Sequence, residues 1–208
     1  LTGCNSRETE SEIRPVSKGA GFTFLELGAG TPVNAAMRDR LKQRLGSAAV
    51  VRHTTIDLDA DFPGFLGDHM IELAELNRRL NWPPRERVEH AVTQLTYRYI
   101  DPSELPFDKV VLRFADATGL PVLLNAYAGS AGGELLTSLT EKHGTPREVV
   151  WEKGRTFLWT QEQDHLLFTA WQDQYDRPRY TITIYYVGNL KDLMRSEGRA
   201  EPPSPGGG

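Results

Sequence analysis

The sequence predicts an α+β fold in which amphipathic helices pack on an antiparallel β-sheet that ends in a C-terminal β-meander. Through much of residues 21–100, apolar residues recur every three or four positions, as on one face of a helix. Over residues 101–195 they mostly alternate with polar residues between short turn sequences, as in antiparallel strands. The chain therefore divides into a mainly helical N-terminal part, 21–100, and an antiparallel α+β part, 101–195.

The first helix is predicted to begin at Thr31-Pro32, because Thr is a good N-cap and Pro suits the first helical position. Its apolar face repeats every four residues, as Val33, Met37, Leu41 and Leu45. Gly46 ends this helix, and an extended segment then runs from Val50 toward Ile56.

A second helix is predicted from about Phe65 to Leu80, where Trp82-Pro83-Pro84 stops it. Its apolar face consists of Met70, Leu73, Leu76 and Leu80. A third amphipathic stretch begins at Arg85 and passes from helix to strand before Tyr99, at a point that the pattern leaves open.

The strands of the second part alternate more clearly. Residues 110–114 and 122–126 form a hairpin around the turn 116–119, and a helix at Leu135 to Leu139 ends at Gly144. The meander strands lie near 148–151, 155–159, 166–171 and 180–187. In the last strand Ile182, Ile184 and Tyr186 are expected to face the core, and Thr181, Thr183 and Tyr185 the opposite side.

Two segments resemble each other: 41–47 and 139–145. Each is a helix end closed by Gly and a hydroxyl residue, and each runs into a pair of valines. This similarity indicates either a duplicated helix-strand module or two ordinary glycine-terminated helices.

The four N-terminal residues, Leu1-Thr2-Gly3-Cys4, resemble the lipobox of bacterial lipoproteins, in which the cysteine carries the acyl chains. The resemblance implies a signal remnant over 1–3, lipid attachment at Cys4 and a flexible polar tether over 4–20. In Gram-negative lipoproteins Asp after the cysteine commonly retains the protein at the inner membrane, so Asn5 favours the outer membrane. The body is then expected in the periplasm, with exposure at the cell surface as the alternative.

The remaining composition excludes several classes of protein. The net charge is −4 and basic residues do not cluster in sequence, which argues against a nucleic-acid surface. With Cys4 as the one cysteine, the chain has no internal disulfide. Residues 196–208 have the composition of a disordered tail.

A second resemblance covers about the C-terminal third of the chain. The helix ending at Gly144, followed by Pro146 and strands with Trp151 and Trp159, is similar to the small lipoprotein subunit of the outer-membrane β-barrel assembly machine. The resemblance implies an α+β layer that binds protein partners.

A competing resemblance lies at residues 24–32. Glu26, Gly28 and Gly30 match the first motif of class I S-adenosylmethionine methyltransferases, and Asp57 or Asp59 is then the second acidic residue. Pro32 departs from the pattern, because the third glycine allows a close approach of helix and ligand. Such an enzyme also needs alternating strands and helices in a parallel sheet.

Metal chemistry has weaker support. Asp57, Asp59 and Asp61 are spaced as in a calcium loop, but Phe62 stands where that loop needs Gly, and Asp68 replaces its final Glu. The five histidines show no metal-ligand spacing.

We therefore expect a membrane-anchored periplasmic lipoprotein that acts as a non-catalytic partner-binding or assembly component of the envelope. The methyltransferase and a periplasmic binder of a small ligand are the alternatives. We expect no cofactor, metal or catalytic residue. Its contacts are the membrane, through acyl chains, and an envelope protein that the sequence does not identify. Trp171 and Tyr185 are the candidate partner-binding residues, because interface hot spots favour Trp and Tyr.

Overall fold

An antiparallel β-sheet of eight strands organises the computed structural model, which describes residues 21–198. The strands are β1 (Ala48–Thr54), β2 (His90–Tyr97), β3 (Lys109–Ala115), β4 (Pro121–Ala128), β5 (Arg147–Trp151), β6 (Gly154–Gln161), β7 (Asp164–Gln172) and β8 (Pro178–Tyr185). Their spatial order is β1-β2-β3-β4-β8-β7-β6-β5, and each neighbouring pair is antiparallel. The α+β class and the C-terminal meander are confirmed.

Helices cover both faces of this sheet. They are α1 (Ala35–Leu45), α2 (Phe65–His69), α3 (Ile71–Leu80), α4 (Leu135–His143), preceded by a 3-10 turn at Ser130–Glu134, and α5 (Val187–Ser196). One core contains α1 and the first described residues, from Phe22, with α4 packed against it, and we call this side the α1 face. The second core contains α2, α3 and α5 on what we call the α3 face. Alternate residues of each central strand therefore enter different cores.

The predicted first helix is confirmed with a later start. Asn34 is its N-cap, and its side-chain oxygen accepts a hydrogen bond of 2.9 Å from the backbone N–H of Met37. Thr31 instead accepts a hydrogen bond from Gly28, so its hydroxyl is part of the preceding turn. Gly46 ends the helix at φ 80°, a conformation that favours glycine.

The predicted helix over 65–80 is interrupted at Met70, where φ is −147° and ψ is 62°. The expected apolar face is nevertheless buried throughout. The helical expectation is wrong for the following stretch, where β2 begins at His90. Because β2 lies between two strands with helices on both faces, its burial is almost continuous and does not follow the period of a half-exposed strand.

The four meander strands are confirmed, but the helix that follows them is not foreseen by the sequence pattern. Val187, expected at the end of the last strand, begins α5. This helix buries Leu190, Leu193 and Met194 on the α3 face. Residues 1–20, with the expected signal remnant and tether, and residues 199–208 of the expected tail lie outside the described residues.

The two similar segments occupy equivalent places in the sheet. Gly46 and Gly144 both end helices with φ near 80° and ψ near −165° (80° and −162° against 82° and −170°). Each glycine leads into an edge strand, β1 or β5, and three further strands follow inward until β4 meets β8. This pseudo-two-fold arrangement supports the duplication hypothesis. It also means that the boundary predicted near residue 100 lies between two neighbouring strands of the same sheet.

Within residues 21–198, the helices are too short and too polar to cross a lipid bilayer.

Candidate functional site

A cleft of about 400 Å³ lies at the end of the sheet where β3 and β8 begin and β4 and β7 end. Its lining includes the aromatic residues Tyr127 and Trp171 and the cations Arg98, Lys109 and Arg179. The strand residues among these five share a face with Tyr185 and Leu167, which belong to the second core. The cleft therefore opens on the α3 face, beside the part that the helices cover.

Trp171, a candidate from the sequence, is a wall of this cleft. In β7 it pairs with Arg179 of β8 on one side and with Gly154 of β6 on the other, and 37% of its surface is exposed. A Cβ atom at Gly154 would lie 2.5 Å from the carbonyl oxygen of Ala170 and 2.9 Å from the side chains of Trp151 and Trp171. Glycine at this position thus allows the side chains of Trp151 and Trp171 to pack beside the strand.

Arg179 is held by the hairpin that joins β7 to β8. The carboxylate of Asp173 accepts hydrogen bonds from the backbone N–H groups of Tyr175 and Arg177, at 2.9 and 3.1 Å, and from Nε of Arg179, at 3.2 Å. Burial disfavours the charged form of Asp173, but these hydrogen bonds outweigh burial and lower its pKa. The turn and the guanidinium are therefore fixed by one carboxylate.

The hairpin also borders a second cavity, of about 800 Å³. Trp171 and Arg179 line both cavities, so the two cavities lie side by side. We call the smaller one, of about 400 Å³, the Trp171 cleft.

Lys109 and Arg98 form the basic side of the Trp171 cleft. The last residue of β2, Tyr97, pairs with Val110 of β3, which places the next residue, Arg98, beside Lys109. The ammonium of Lys109 lies 4.0 Å from the ring centre of Tyr127, in a cation–π contact. The pKa of Lys109 is lowered, first by burial and then by repulsion from Arg98 and Arg113.

Arg113 extends this positive charge along β3. Its Nη1 donates a hydrogen bond of 3.3 Å to Asn125, which in turn donates to Thr183 at 3.1 Å. Its buried Nε has no hydrogen-bond partner among the described residues. Burial lowers the pKa of Arg113, although the charges of Tyr127 and Asp57 oppose that effect.

The structure does not support Tyr185 as an exposed partner anchor. Its side chain is 1% exposed, and its hydroxyl donates a hydrogen bond of 2.8 Å to the carbonyl oxygen of Leu58. Burial, followed by repulsion from nearby carboxylates, raises its pKa well above the ordinary tyrosine value. Along β8, Tyr185 is six residues from Arg179, or about 20 Å. The two sequence candidates are thus far apart, and one belongs to the core.

The glycine motif has a different role from the one that its resemblance to methyltransferases implies. Phe24 and Leu27 form a bridge around a tight turn at Leu25 and Glu26, both with positive φ. Tyr186, which directly follows β8, holds this turn in place, because its hydroxyl donates a hydrogen bond of 3.2 Å to the carbonyl oxygen of Leu27. The sheet beside it is antiparallel, whereas a class I methyltransferase needs parallel strands.

Asn189 of α5 completes this structural role. Its amide donates to the carbonyl oxygens of Ala29 and Pro121, each at 2.8 Å. A Cβ atom at Gly30 would meet nothing within 4 Å, so no close backbone approach requires glycine there. The glycine motif therefore forms a turn that hydrogen bonds from Tyr186 and Asn189 hold against the core.

The three aspartates whose spacing is similar to that of a calcium loop bind side chains of the protein itself. The amide of Asn77 donates to Asp57 at 3.3 Å and to Asp59 at 3.1 Å. Asp61 accepts hydrogen bonds of 2.6 Å from the buried hydroxyls of Thr156 and Thr169. Within residues 21–198, no group of three or more His, Cys, Asp or Glu side chains lies close enough together to bind a metal ion.

His90 is the most enclosed histidine. Its Nδ1 lies 2.8 Å from a carboxylate oxygen of Glu197, and its Nε2 lies 3.1 Å from the carbonyl oxygen of Leu80. Because both ring nitrogens face acceptors and the ring is 1% exposed, this histidine joins β2 to the end of α5 and does not face a substrate.

Sequence reasoning missed Arg98, Lys109 and Arg113. A signal for two of them was present, because Lys109 and Arg113 interrupt an otherwise apolar strand at positions that share one face. Their proximity to Arg98 depends on the register between β2 and β3, which single-sequence patterns do not reveal.

We compared the chain with protein-family models, with curated proteins and with solved structures, and none matches.

Proposed function

We propose that the protein is a non-catalytic, partner-binding component of the bacterial cell envelope, and that it binds through the Trp171 cleft. The observation that carries the proposal is a partly exposed tryptophan in a concave surface that also contains Tyr127 and Arg179. Trp, Tyr and Arg contribute most of the binding energy in protein interfaces, and they do so best in pockets.

The cleft is also ordered before a partner arrives. Gly154 allows Trp171 to lie against the sheet, and Asp173 fixes the guanidinium of Arg179. Each immobilised flexible side chain costs about 0.5–1.5 kcal/mol on binding, so a surface that is already fixed avoids part of that cost.

The volume of the cleft favours one alternative, a periplasmic binder of a small ligand. Pockets for small molecules typically have volumes of about 300–1,000 Å³, and the cleft of about 400 Å³ lies within that range. The two functions differ in what binds at Trp171 and share the same surface.

The proposed location is the outer membrane, with the body in the periplasm or at the cell surface. It is supported by the lipobox-like Leu1-Thr2-Gly3-Cys4 and by Asn5, all of which lie outside the described residues. Three acyl chains on Cys4 would hold the protein firmly, because each buried CH₂ contributes about 0.8 kcal/mol.

The anchor is tested with Cys4→Ser, expressed behind a complete signal peptide. We expect the native protein to partition into detergent and the variant to stay soluble or uncleaved, because acylation requires the sulfur. Intact mass of the membrane fraction is the measurement. A native protein without acyl chains would remove the proposed location and leave the proposed binding surface untouched.

The binding surface is tested by co-purification from native membranes with Trp171→Ala. Its matched control is Val50→Ala, which also shortens an exposed apolar side chain but lies on β1, with four strands between it and β7. We expect the protein that co-purifies with the native chain to be lost with Trp171→Ala and retained with Val50→Ala. Equal recovery with both variants would contradict the proposed surface.

A further inference from the structure

We propose that the Trp171 cleft binds a phosphate group, and that Arg98 and Lys109 are the residues that contact it. The inference rests on the proposed function in one respect, namely that the cleft is a binding surface. It adds the chemical class of the group that is bound there.

The cleft carries an excess of positive charge. Arg98, Lys109 and Arg113 lie close enough for the two arginines to repel the ammonium of Lys109. Among residues 21–198, these three side chains form no ion pair within 4.0 Å. Like charges that lie close together repel each other, which destabilises the folded protein. In a protein of net charge −4, this local excess is a cost that a bound anion would remove.

The carboxylates at the cleft pair with a different cation, Arg179. Asp173 lies 3.2 Å from the guanidinium of Arg179, and Asp108 lies 3.9 Å from it on the other side. Arg179 is thus neutralised within the protein, whereas Arg98 and Lys109 are not. The unsatisfied charge is at the end of the cleft formed by β2 and β3.

The hydrogen-bond donors of Arg98 and Lys109 favour a phosphate group as the anion. An arginine presents a planar fork of N–H donors, and a lysine presents a compact charge with three donors. A phosphate group has enough oxygen atoms to accept from both at once, and charge-assisted hydrogen bonds to phosphate are among the strongest. Tyr127, held under Lys109, adds an aromatic surface for the part of the ligand next to the phosphate.

The cleft, at about 400 Å³, has room for a ligand larger than a phosphate ion. A phosphate group in the envelope belongs either to a lipid headgroup or to a soluble phosphate ester. Both share the recognition chemistry described above, and the experiment separates them.

The experiment uses the full chain carrying Cys4→Ser, so that acyl chains do not contribute to vesicle binding. Glycerol 3-phosphate is the soluble probe, measured by calorimetry. Vesicles of phosphatidylcholine, alone or mixed with an equal part of phosphatidylglycerol, are the lipid probe, measured by co-sedimentation. Each measurement is made at low salt, because salt screens exposed charges.

The variants are Arg98→Ala and Lys109→Ala, with Lys42→Ala as the control. Lys42 is an exposed residue of α1, so its substitution removes the same charge from the other face. Loss of one charge-assisted hydrogen bond should weaken binding roughly tenfold or more. Because Arg98 is exposed, Arg98→Ala should fold normally, and its thermal midpoint checks this.

Binding of glycerol 3-phosphate that both cleft variants weaken and Lys42→Ala does not would support a soluble ligand. The same pattern with phosphatidylglycerol vesicles only would support a lipid headgroup. If neither probe binds, or if all three variants bind equally, the phosphate site is contradicted. If the phosphate site were contradicted in this way while Trp171→Ala still abolished co-purification, the proposed partner-binding function would stand and the phosphate site would not.

Discussion

Tyr185→Ala is expected to destabilise the protein severely, because its ring lies inside the second core. The side chain is 1% exposed, and its hydroxyl donates to the carbonyl oxygen of Leu58 at 2.8 Å. Removal of a buried aromatic side chain costs about 3–5 kcal/mol. The buried carbonyl left without its donor adds about 1–3 kcal/mol. Each kcal/mol lowers the midpoint of a protein of this size by about 2–4 °C, so a decrease of about 10 °C or more is expected.

Two comparisons separate the contributions to this value. Tyr185→Phe keeps the ring and loses the hydrogen bond, which should cost about 1–3 kcal/mol. Trp171→Ala removes an aromatic ring of which 37% is exposed and should cost clearly less than Tyr185→Ala. Thermal and urea unfolding followed by circular dichroism measure all three. If Tyr185→Ala left the midpoint unchanged, or if Trp171→Ala were the more damaging change, the burial of Tyr185 would be wrong.

Three other predictions concern the surroundings of the cleft. Gly154→Ala should cost about 1–3 kcal/mol in urea unfolding, because its Cβ would meet the carbonyl oxygen of Ala170 and the side chains of Trp151 and Trp171; a neutral result would contradict the close packing. Burial raises the pKa of Asp61, although hydrogen bonds from Thr156 and Thr169 oppose the shift. Asp61 therefore stabilises the folded protein most when the pH is below its pKa in the unfolded chain. This contribution falls as the pH rises from that pKa toward the higher pKa of the folded protein. Stability relative to Asp61→Asn should thus decline as pH rises above about 4, the ordinary aspartate pKa, and a constant difference would refute this. Arg98→Ala should raise stability by about 0.2–1 kcal/mol at low salt and by less at high salt, whereas destabilisation at low salt would argue against an uncompensated charge cluster.

The C-terminal meander could be predicted from sequence because its strands alternate and its turns are polar. The same reasoning failed for β2, where Val92, Leu95 and Thr96 are all buried between two layers of helices. A central strand of this kind has no exposed face, so its pattern does not separate it from a helix. The helical spacing of Val187, Leu190 and Met194 was present in the sequence, but it begins where the alternation of β8 ends.

The candidate site was predicted only in part. Alternation places Tyr185 and Thr183 on one face of β8 but does not reveal what covers that face. The cover comes from α2, α3 and α5, of which α2 and α3 lie more than 100 residues earlier in the chain. Trp171 stays partly exposed because it lies at the uncovered end of the same face. The basic side of the cleft depends on strand register, which long-range pairing determines.

The most direct test of the binding surface is site-specific photo-crosslinking in native membranes. A photoreactive phenylalanine analogue would replace Trp171 in one sample and Val50 in another, since both side chains are exposed and lie in different parts of the sheet. We predict a discrete adduct with an envelope component from position 171 and none from position 50. If position 171 gave no adduct while position 50 did, the Trp171 cleft would not be the binding surface of this protein.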